Sequence, residues 1–201
     1  MRNDFLKLIA IVLMVIDHVA SAFSDSLNPV LYHSFRAVGR LCFPIFAYHI
    51  ALGFEKTSNL GKYAFRLFLF AIIAQPIYWL LWPELNILFT LLLGLGALYL
   101  NEKNPLFLVP YSILVYGLDY FLTVDYGILG VFMILFFRIS PLIGNAMIIF
   151  LKSLSVWYNS LALLGVFLTR WDPPWRISLP RYFFYVFYPL HLLIIWIITI
   201  Y

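Results

Sequence analysis

A few polar side chains interrupt long apolar runs in this chain, and they are the residues whose types and spacing could do chemistry. Lys7 lies eleven residues before His18. On an α-helix of about 3.6 residues per turn both project from nearly one face, about 16 Å apart along the axis. An imidazole, with an ordinary pKa of about 6.5, can take the proton from an attacking amine or hydroxyl, so His18 is the candidate general base. Asp17 is its sequence neighbour, but adjacent helical residues diverge by about 100°, which argues against a triad-like pairing with that ring. Asp17 is better placed to pair with a cation. The competing account is structural: Lys7 snorkels to one interface, and Asp17-His18 cap a short helix near the other.

Arg36 and Arg40 are four residues apart and share one helical face at the entry to the second apolar run. Charges inside a membrane are paired or functional, so the expected anion is Asp17, and either arginine could also stabilise an oxyanion or hold an acceptor. In the last run, Pro189 follows Tyr188 and precedes His191. Proline releases a backbone carbonyl and bends a helix, and polar neighbours then either line a small cavity or satisfy the released groups. Tyr188 and His191 are candidate substrate contacts on that ground. Gln75-Pro76 repeats the pattern and adds Gln75; His49 faces away from Arg40 and reads as a satisfied core histidine.

The elements that carry these residues are membrane helices. The 201 residues are 64% hydrophobic and 11% charged, with mean hydropathy +0.96, whereas a soluble domain has about a quarter charged residues. The apolar runs lack the in-out alternation of a membrane barrel, which leaves helices as the way to satisfy the backbone in lipid. The expected fold is an all-α, polytopic transmembrane bundle of about nine helices in a single domain, 1–201. The segments are 5–23, 38–54, 63–82, 86–100, 105–121, 126–137, 141–156, 159–169 and 182–201. The sixth and eighth are short for a span.

Charge sorts between the loops. Arg2, Lys7, Lys56, Lys62, Arg66, Lys103, Arg138, Arg170, Arg176 and Arg181 fall on one side, and only Arg36, Arg40 and Lys152 on the other. The positive-inside rule then puts the N-terminus in the cytoplasm. It also explains the net charge of +4 without a nucleic-acid partner. The first run, interrupted by Lys7 and Asp17-His18 and followed by no small-residue cleavage site, is not read as a cleaved signal peptide. Cys42 is the single cysteine, so no intramolecular disulfide or thiol-based metal cluster is expected. Gly94 and Gly96 sit in an apolar run and suggest close helix packing, not a phosphate loop.

Several stretches together resemble the TraX family of membrane proteins associated with acetylation of conjugative pilin. They are 6–10 leading to Ile16-Asp17-His18, 39–47, Arg66 leading to Gln75-Pro76, 86–94, 125–130 and 183–191. The chain is also similar, more distantly, to membrane acyltransferases that carry a basic residue ten intervening positions before a first-helix histidine. Lys7 and His18 match that spacing, with lysine, which lacks the bidentate fork, in place of the usual arginine. The 170–176 loop, Arg170-Trp171-Asp172-Pro173-Pro174-Trp175-Arg176, departs from the family's usual turn.

The resemblance implies acyl transfer, with acetyl-CoA as donor and an amine of pilin or a hydroxyl of a surface glycan or lipid as acceptor. His18, Asp17 and Arg40 would be the catalytic set; Arg36, Lys7, Gln75, Tyr188 and His191 would contact substrate. CoA phosphates would lie at the cytoplasmic face among Lys62, Arg66, Arg176 and Arg181. The rival class is a small transporter or proton relay using Lys7, Asp17, His18, Arg40 and His191. Transporters usually show paired repeats, and none is evident here. A plain membrane scaffold would leave His18 and Arg40 without a purpose.

Overall fold

Asparagines start the helices at several points. Asn28, Asn59, Asn86 and Asn104 hold non-helical backbone and accept a hydrogen bond from the N–H of Leu31, Lys62, Leu88 and Leu106 respectively. Each bond satisfies one of the N–H groups that a helix start leaves open. The computed structural model describes residues 4–174, 176–180 and 182–201. In chain order they form α1 (Phe5–Ala22), α2 (Pro29–Gly39), α3 (Cys42–Lys56), α4 (Leu60–Leu81) and α5 (Ile87–Lys103), then α6 (Leu108–Leu122), α7 (Gly127–Ile139), α8 (Ile143–Ser153), α9 (Ala162–Leu168) and α10 (Phe183–Ile200). Short 3-10 turns at Pro105–Phe107 and Trp157–Leu161 lead into α6 and α9. No strand forms among the described residues; Leu85 and Val124 make an isolated bridge.

With α2 and α3 counted as one broken rod, Pro29–Lys56, the described residues hold the nine helices that the apolar segments predict. Five rods are long and apolar enough to cross a membrane: Phe5–Ala22, Pro29–Lys56, Leu60–Leu81, Pro105–Leu122 and Phe183–Ile200. α7 and α8, with 13 and 11 residues, reach only about 20 Å and 17 Å at 1.5 Å per residue, against a hydrocarbon core of about 30 Å. A bilayer meets such short helices by thinning locally.

Contacts sort the helix ends into two sets. At one end, here called proximal, Asp4 N–H donates to the Ile177 carbonyl at 2.7 Å, tying the start of α1 to the approach to α10. Arg138 and Glu102, 3.7 Å apart, join the ends of α7 and α5 there. At the distal end Leu85 N–H donates to the Thr123 carbonyl at 2.9 Å, which joins the start of α5 to the end of α6. Successive helices therefore alternate in direction, with α2 and α3 counted as one. Lys56, Lys62, Arg66, Lys103, Arg138 and Arg170 lie in or next to the proximal turns of their helices, as the loop charges predict.

α3 occupies the middle of the bundle. Phe43, Ile45, Ala47 and Ile50 are buried on it, against Ala10 and Met14 of α1, Leu95 and Leu98 of α5, and Met133 and Ile134 of α7. The outward faces are as apolar as the core: Phe65, Ile72 and Trp79 on α4 and Val109, Ile113 and Leu114 on α6 are all exposed. That arrangement is stable only where the surroundings are lipid. Helices α4 and α10 run through Pro76 and Pro189 without ending, so each proline removes a hydrogen bond and not the helix.

The element that the apolar segments did not separate is α2. Its residues include His33, Ser34 and Arg36, too polar to read as part of a span. α2 folds back along α1 and brings its last turn against Asp17. A Cβ at Gly39 would overlap Cβ and Oδ1 of Asp17, so only glycine permits this approach.

Candidate functional site

Folding α2 back on α1 creates a buried ion cluster. Arg36 Nη1 donates to Asp17 Oδ2 at 2.9 Å, and Arg40 Nη2 stands 3.5 Å from Oδ1. The three side chains are 13–17% exposed, so the one carboxylate neutralises half of a doubly cationic site in a poorly hydrated place. Arg40 Nη1 also donates to the Tyr126 hydroxyl at 3.2 Å. The Tyr126 ring stacks on Phe43 at 3.9 Å between centroids, and Lys152 Nζ lies 4.3 Å from its centre. The three cations that break the charge bias, Arg36, Arg40 and Lys152, thus converge on one place. Asp17 pairs with Arg40 as expected and more closely with Arg36.

Tyr126 is itself held in the left-handed region, at φ 63°. For a residue with a Cβ this conformation costs about 1–2 kcal/mol and persists only where its surroundings fix it. Phe43, Arg40 and Lys152 are those surroundings. Thr90 Oγ1 donates to the carbonyl of Asp125 and fastens the same turn to α5.

His18 is on the next face of α1. Its Nδ1 is 2.8 Å from Nε2 of His191, and the two ring planes differ by 8°. His191 Nδ1 is 3.1 Å from the Phe187 carbonyl, one turn back on α10. Trp82, at 5.2 Å between centroids, flanks His18 from the end of α4.

Two cavities reach into the bundle. The distal one, about 80 Å³, is walled by Asp17, His18, Arg36, Arg40, Trp82 and Tyr126, with Glu84 and Asp125. The proximal one, about 310 Å³, is walled by Lys7, His49, Lys56, Tyr63, Arg66 and Tyr188 among others. Met14, Phe46 and Ile87 belong to both walls. Three apolar side chains therefore stand where the two spaces meet.

The remaining candidate residues distribute as follows. Lys7, on the His18 side of α1, opens onto the proximal cavity; it pairs with Asp4 at 2.9 Å and lies 5.2 Å over the Phe184 ring. Tyr188 is buried on the proximal wall, and His191 is buried behind His18. Arg66 lies 5.7 Å from the Tyr63 ring, and its buried Nε has no hydrogen-bond partner among the described residues. Lys62 shares a neighbouring cleft with Arg66. Arg176 is bound to Asp172 by contacts of 2.5 and 3.0 Å, and that hydrogen bonding holds the Asp172 carboxyl below the usual carboxylate range. It borders a third space with Lys56 and Arg170. Arg181 lies outside the described residues.

Gln75 does a different job from the contact expected of it. Its Nε2 donates to the Glu84 carbonyl at 2.9 Å, and its Oε1 accepts from the backbone and side chain of Asn86. It belongs to neither cavity wall; it anchors the 82–86 loop that carries Trp82 and Glu84 to the distal cavity. His49 Nδ1 meets the Ile45 carbonyl at 2.8 Å, the satisfied histidine that its position predicts. Sequence reasoning did not select Tyr126, Trp82, Glu84 or Asp125. The available signals were the Asp125-Tyr126-Gly127 turn and the misplaced charge of Lys152.

A bundle of long apolar helices, with charges gathered inside it and lipid-compatible faces outside, defines a polytopic helical membrane protein. The TraX protein family matches residues 2–199, and the chain belongs to that family. It is also 35% identical over 139 residues to a probable fimbrial assembly protein FimC, serogroup H1, of Dichelobacter nodosus; the match covers 61% of this chain and 56% of the relative. The chain thus spans just over half the length of that relative. No solved structure matches.

Proposed function

We propose that this chain is a membrane-bound acyltransferase that moves acetyl from acetyl-CoA to an amine or hydroxyl acceptor of a fimbrial or pilin-type assembly or of the cell surface, with His18 as general base. One observation carries the reading: His18 faces the distal cavity beside Arg36 and Arg40, and a cation-mouthed cavity approaches the same point from the opposite end. The proximal end faces the cytoplasm, in keeping with its excess of lysine and arginine. Arg66 supports donor binding, because its buried Nε on the wall of the proximal cavity is a donor without an acceptor among the described residues, and guanidinium suits phosphate. Lys62, in the neighbouring cleft that it shares with Arg66, would extend that anion site.

In the reaction His18 takes the proton as the acceptor nitrogen or oxygen bonds to the thioester carbonyl carbon. The carbon–sulfur bond then breaks, and the thiolate takes a proton as it leaves. Arg36 or Arg40 supplies positive charge for the intermediate oxyanion, and Asp17 keeps both guanidiniums in place. Met14, Phe46 and Ile87 keep bulk water from running between the cavities.

The same meeting of two cavities favours one other reading, a small transporter or proton relay through the bundle. Purified protein in nanodiscs, supplied with labelled acetyl-CoA and amine and hydroxyl acceptors, separates the two. Acyl transfer predicts acetyl turnover that His18→Ala lowers by about 10²- to 10⁴-fold while the protein still binds CoA and melts normally. Folded protein that neither binds CoA nor shows His18-dependent turnover replaces this reading with transport. Reporter fusions after Lys62 and Arg176 test the orientation, and an external signal at either reverses it.

A further inference from the structure

The His18–His191 contact has a direction that the ring geometry and the backbone together determine. The ring planes lie 8° apart with centroids at 5.1 Å and nitrogens at 2.8 Å. That centroid separation is what the nitrogen–nitrogen distance and two ring radii add up to when the rings share a plane edge to edge. Hydrogen and lone pair of an imidazole both lie in the ring plane, so this is hydrogen-bond geometry and not face-to-face stacking. One nitrogen must donate and the other accept.

Phe187 decides which. Its carbonyl can only accept, and His191 Nδ1 is 3.1 Å from it, so Nδ1 of His191 carries the hydrogen. Neutral His191 then has a bare Nε2, which can only accept. His18 Nδ1 must donate to it. The remaining nitrogen of His18, Nε2, is left with its lone pair, has no hydrogen-bond partner among the described residues, and belongs to a side chain that walls the distal cavity. Free imidazole side chains prefer the opposite tautomer, with hydrogen on Nε2, which would have no lone pair to offer there.

We propose that His191 is the positioning residue that fixes His18 in its Nδ1–H tautomer, so that Nε2 faces the distal cavity as a ready base. This rests on the reading of His18 as a general base. The Phe187 carbonyl and His191 act on the base in series, as outer partners of imidazole ligands and bases do elsewhere. Because α10 supplies both members, the relay is set by one turn of one helix. Trp82 and the Tyr188–His191 edge contact, at 5.4 Å between centroids, keep the two rings from turning.

The test is ¹⁵N NMR of protein labelled at histidine, in nanodiscs, with His18 assigned by comparison with His18→Gln. The parent should show His18 protonated at Nδ1 and bare at Nε2 at neutral pH. In His191→Leu the His18 signals should move toward the Nε2–H form, and kcat for acetyl transfer should fall about 10- to 100-fold, the loss typical of a removed orienting partner, with KM for acetyl-CoA unchanged. His191→Gln should restore both, because its side-chain oxygen can accept from His18 Nδ1. A His18 tautomer that is Nε2–H in the parent, or unmoved in His191→Leu, overturns the proposal. So does a His191→Leu variant that changes only melting temperature or KM. The spectrum is read without turnover, so an inactive parent with the predicted tautomer would count against the base reading of His18 and not against the relay.

Discussion

Replacing Asp17 by asparagine keeps the shape of the side chain and removes the single anion between Arg36 and Arg40. At an effective dielectric of about 20, a unit charge pair at about 4 Å attracts by roughly 4 kcal/mol. Here two guanidiniums stand at 2.9 and 3.5 Å from the carboxylate, with all three side chains at most 17% exposed. Desolvation offsets much of that attraction in the intact cluster, but the offset is not recovered when only the anion is removed, because both cations stay buried. Breaking such a pair from one side costs about 3–5 kcal/mol. For a chain of this size each kcal/mol moves the melting temperature by about 2–4 °C, so Asp17→Asn should melt roughly 6–20 °C lower. The measurement is a thermal melt of detergent-purified protein followed by tryptophan fluorescence. Neutralising the cations as well should recover part of the loss, since Asp17→Asn with Arg36→Gln and Arg40→Gln leaves no uncompensated charge. An Asp17→Asn protein melting within about 2 °C of the parent, or a triple variant less stable than the single one, would refute the argument that these charges are poorly hydrated and held by one another.

Tyr126→Phe removes the hydroxyl that accepts from Arg40 and should lower stability by about 1 kcal/mol, read from the same melt, while lowering acetyl turnover if Arg40 has shifted. Gly39→Ala drives a methyl group into Asp17; overpacking of this kind costs about 1–3 kcal/mol, and Gly39→Ser should be no better, whereas Ala substitution at exposed Ser34 should leave the melt unchanged. Gln75→Ala takes the acceptor from the buried Asn86 backbone N–H and the donor from the Glu84 carbonyl, a loss of about 1–3 kcal/mol, and should raise the accessibility of Trp82 to an aqueous quencher. Asp172→Asn, at a fully exposed ion pair, should leave the melting temperature unchanged.

Much of the architecture was legible because its cause is compositional. Long apolar runs must become helices in lipid, and lysine and arginine must stay near the ends of those helices, so the nine helices and their alternating direction follow from residue type and order. The pairing of Asp17 with Arg40 was legible for the same reason, since a charge inside a bundle has to find its opposite. Lys7 and His18 do share a face of α1. Sharing a face, however, does not decide which cavity a side chain enters: α10 packs against both, through Phe184 at Lys7 and His191 at His18, while Arg36 of α2 turns Asp17 and the distal cavity into a charged site.

The sequence by itself determined a helical membrane bundle and the short list of polar residues inside it, because transfer of each residue between water and lipid depends on that residue alone. Only the tertiary structure decided what those residues face. Arg36 reaches Asp17 because α2 folds back where Gly39 lets it lie against α1. Tyr126 joins the cluster from a turn more than eighty residues away, held at positive φ by packing that no local pattern encodes. His18 and His191, separated by 173 positions, come into one plane because α1 and α10 run side by side. A hydrogen bond depends on the distance and angle between two groups, and those are properties of the packed bundle and not of either residue.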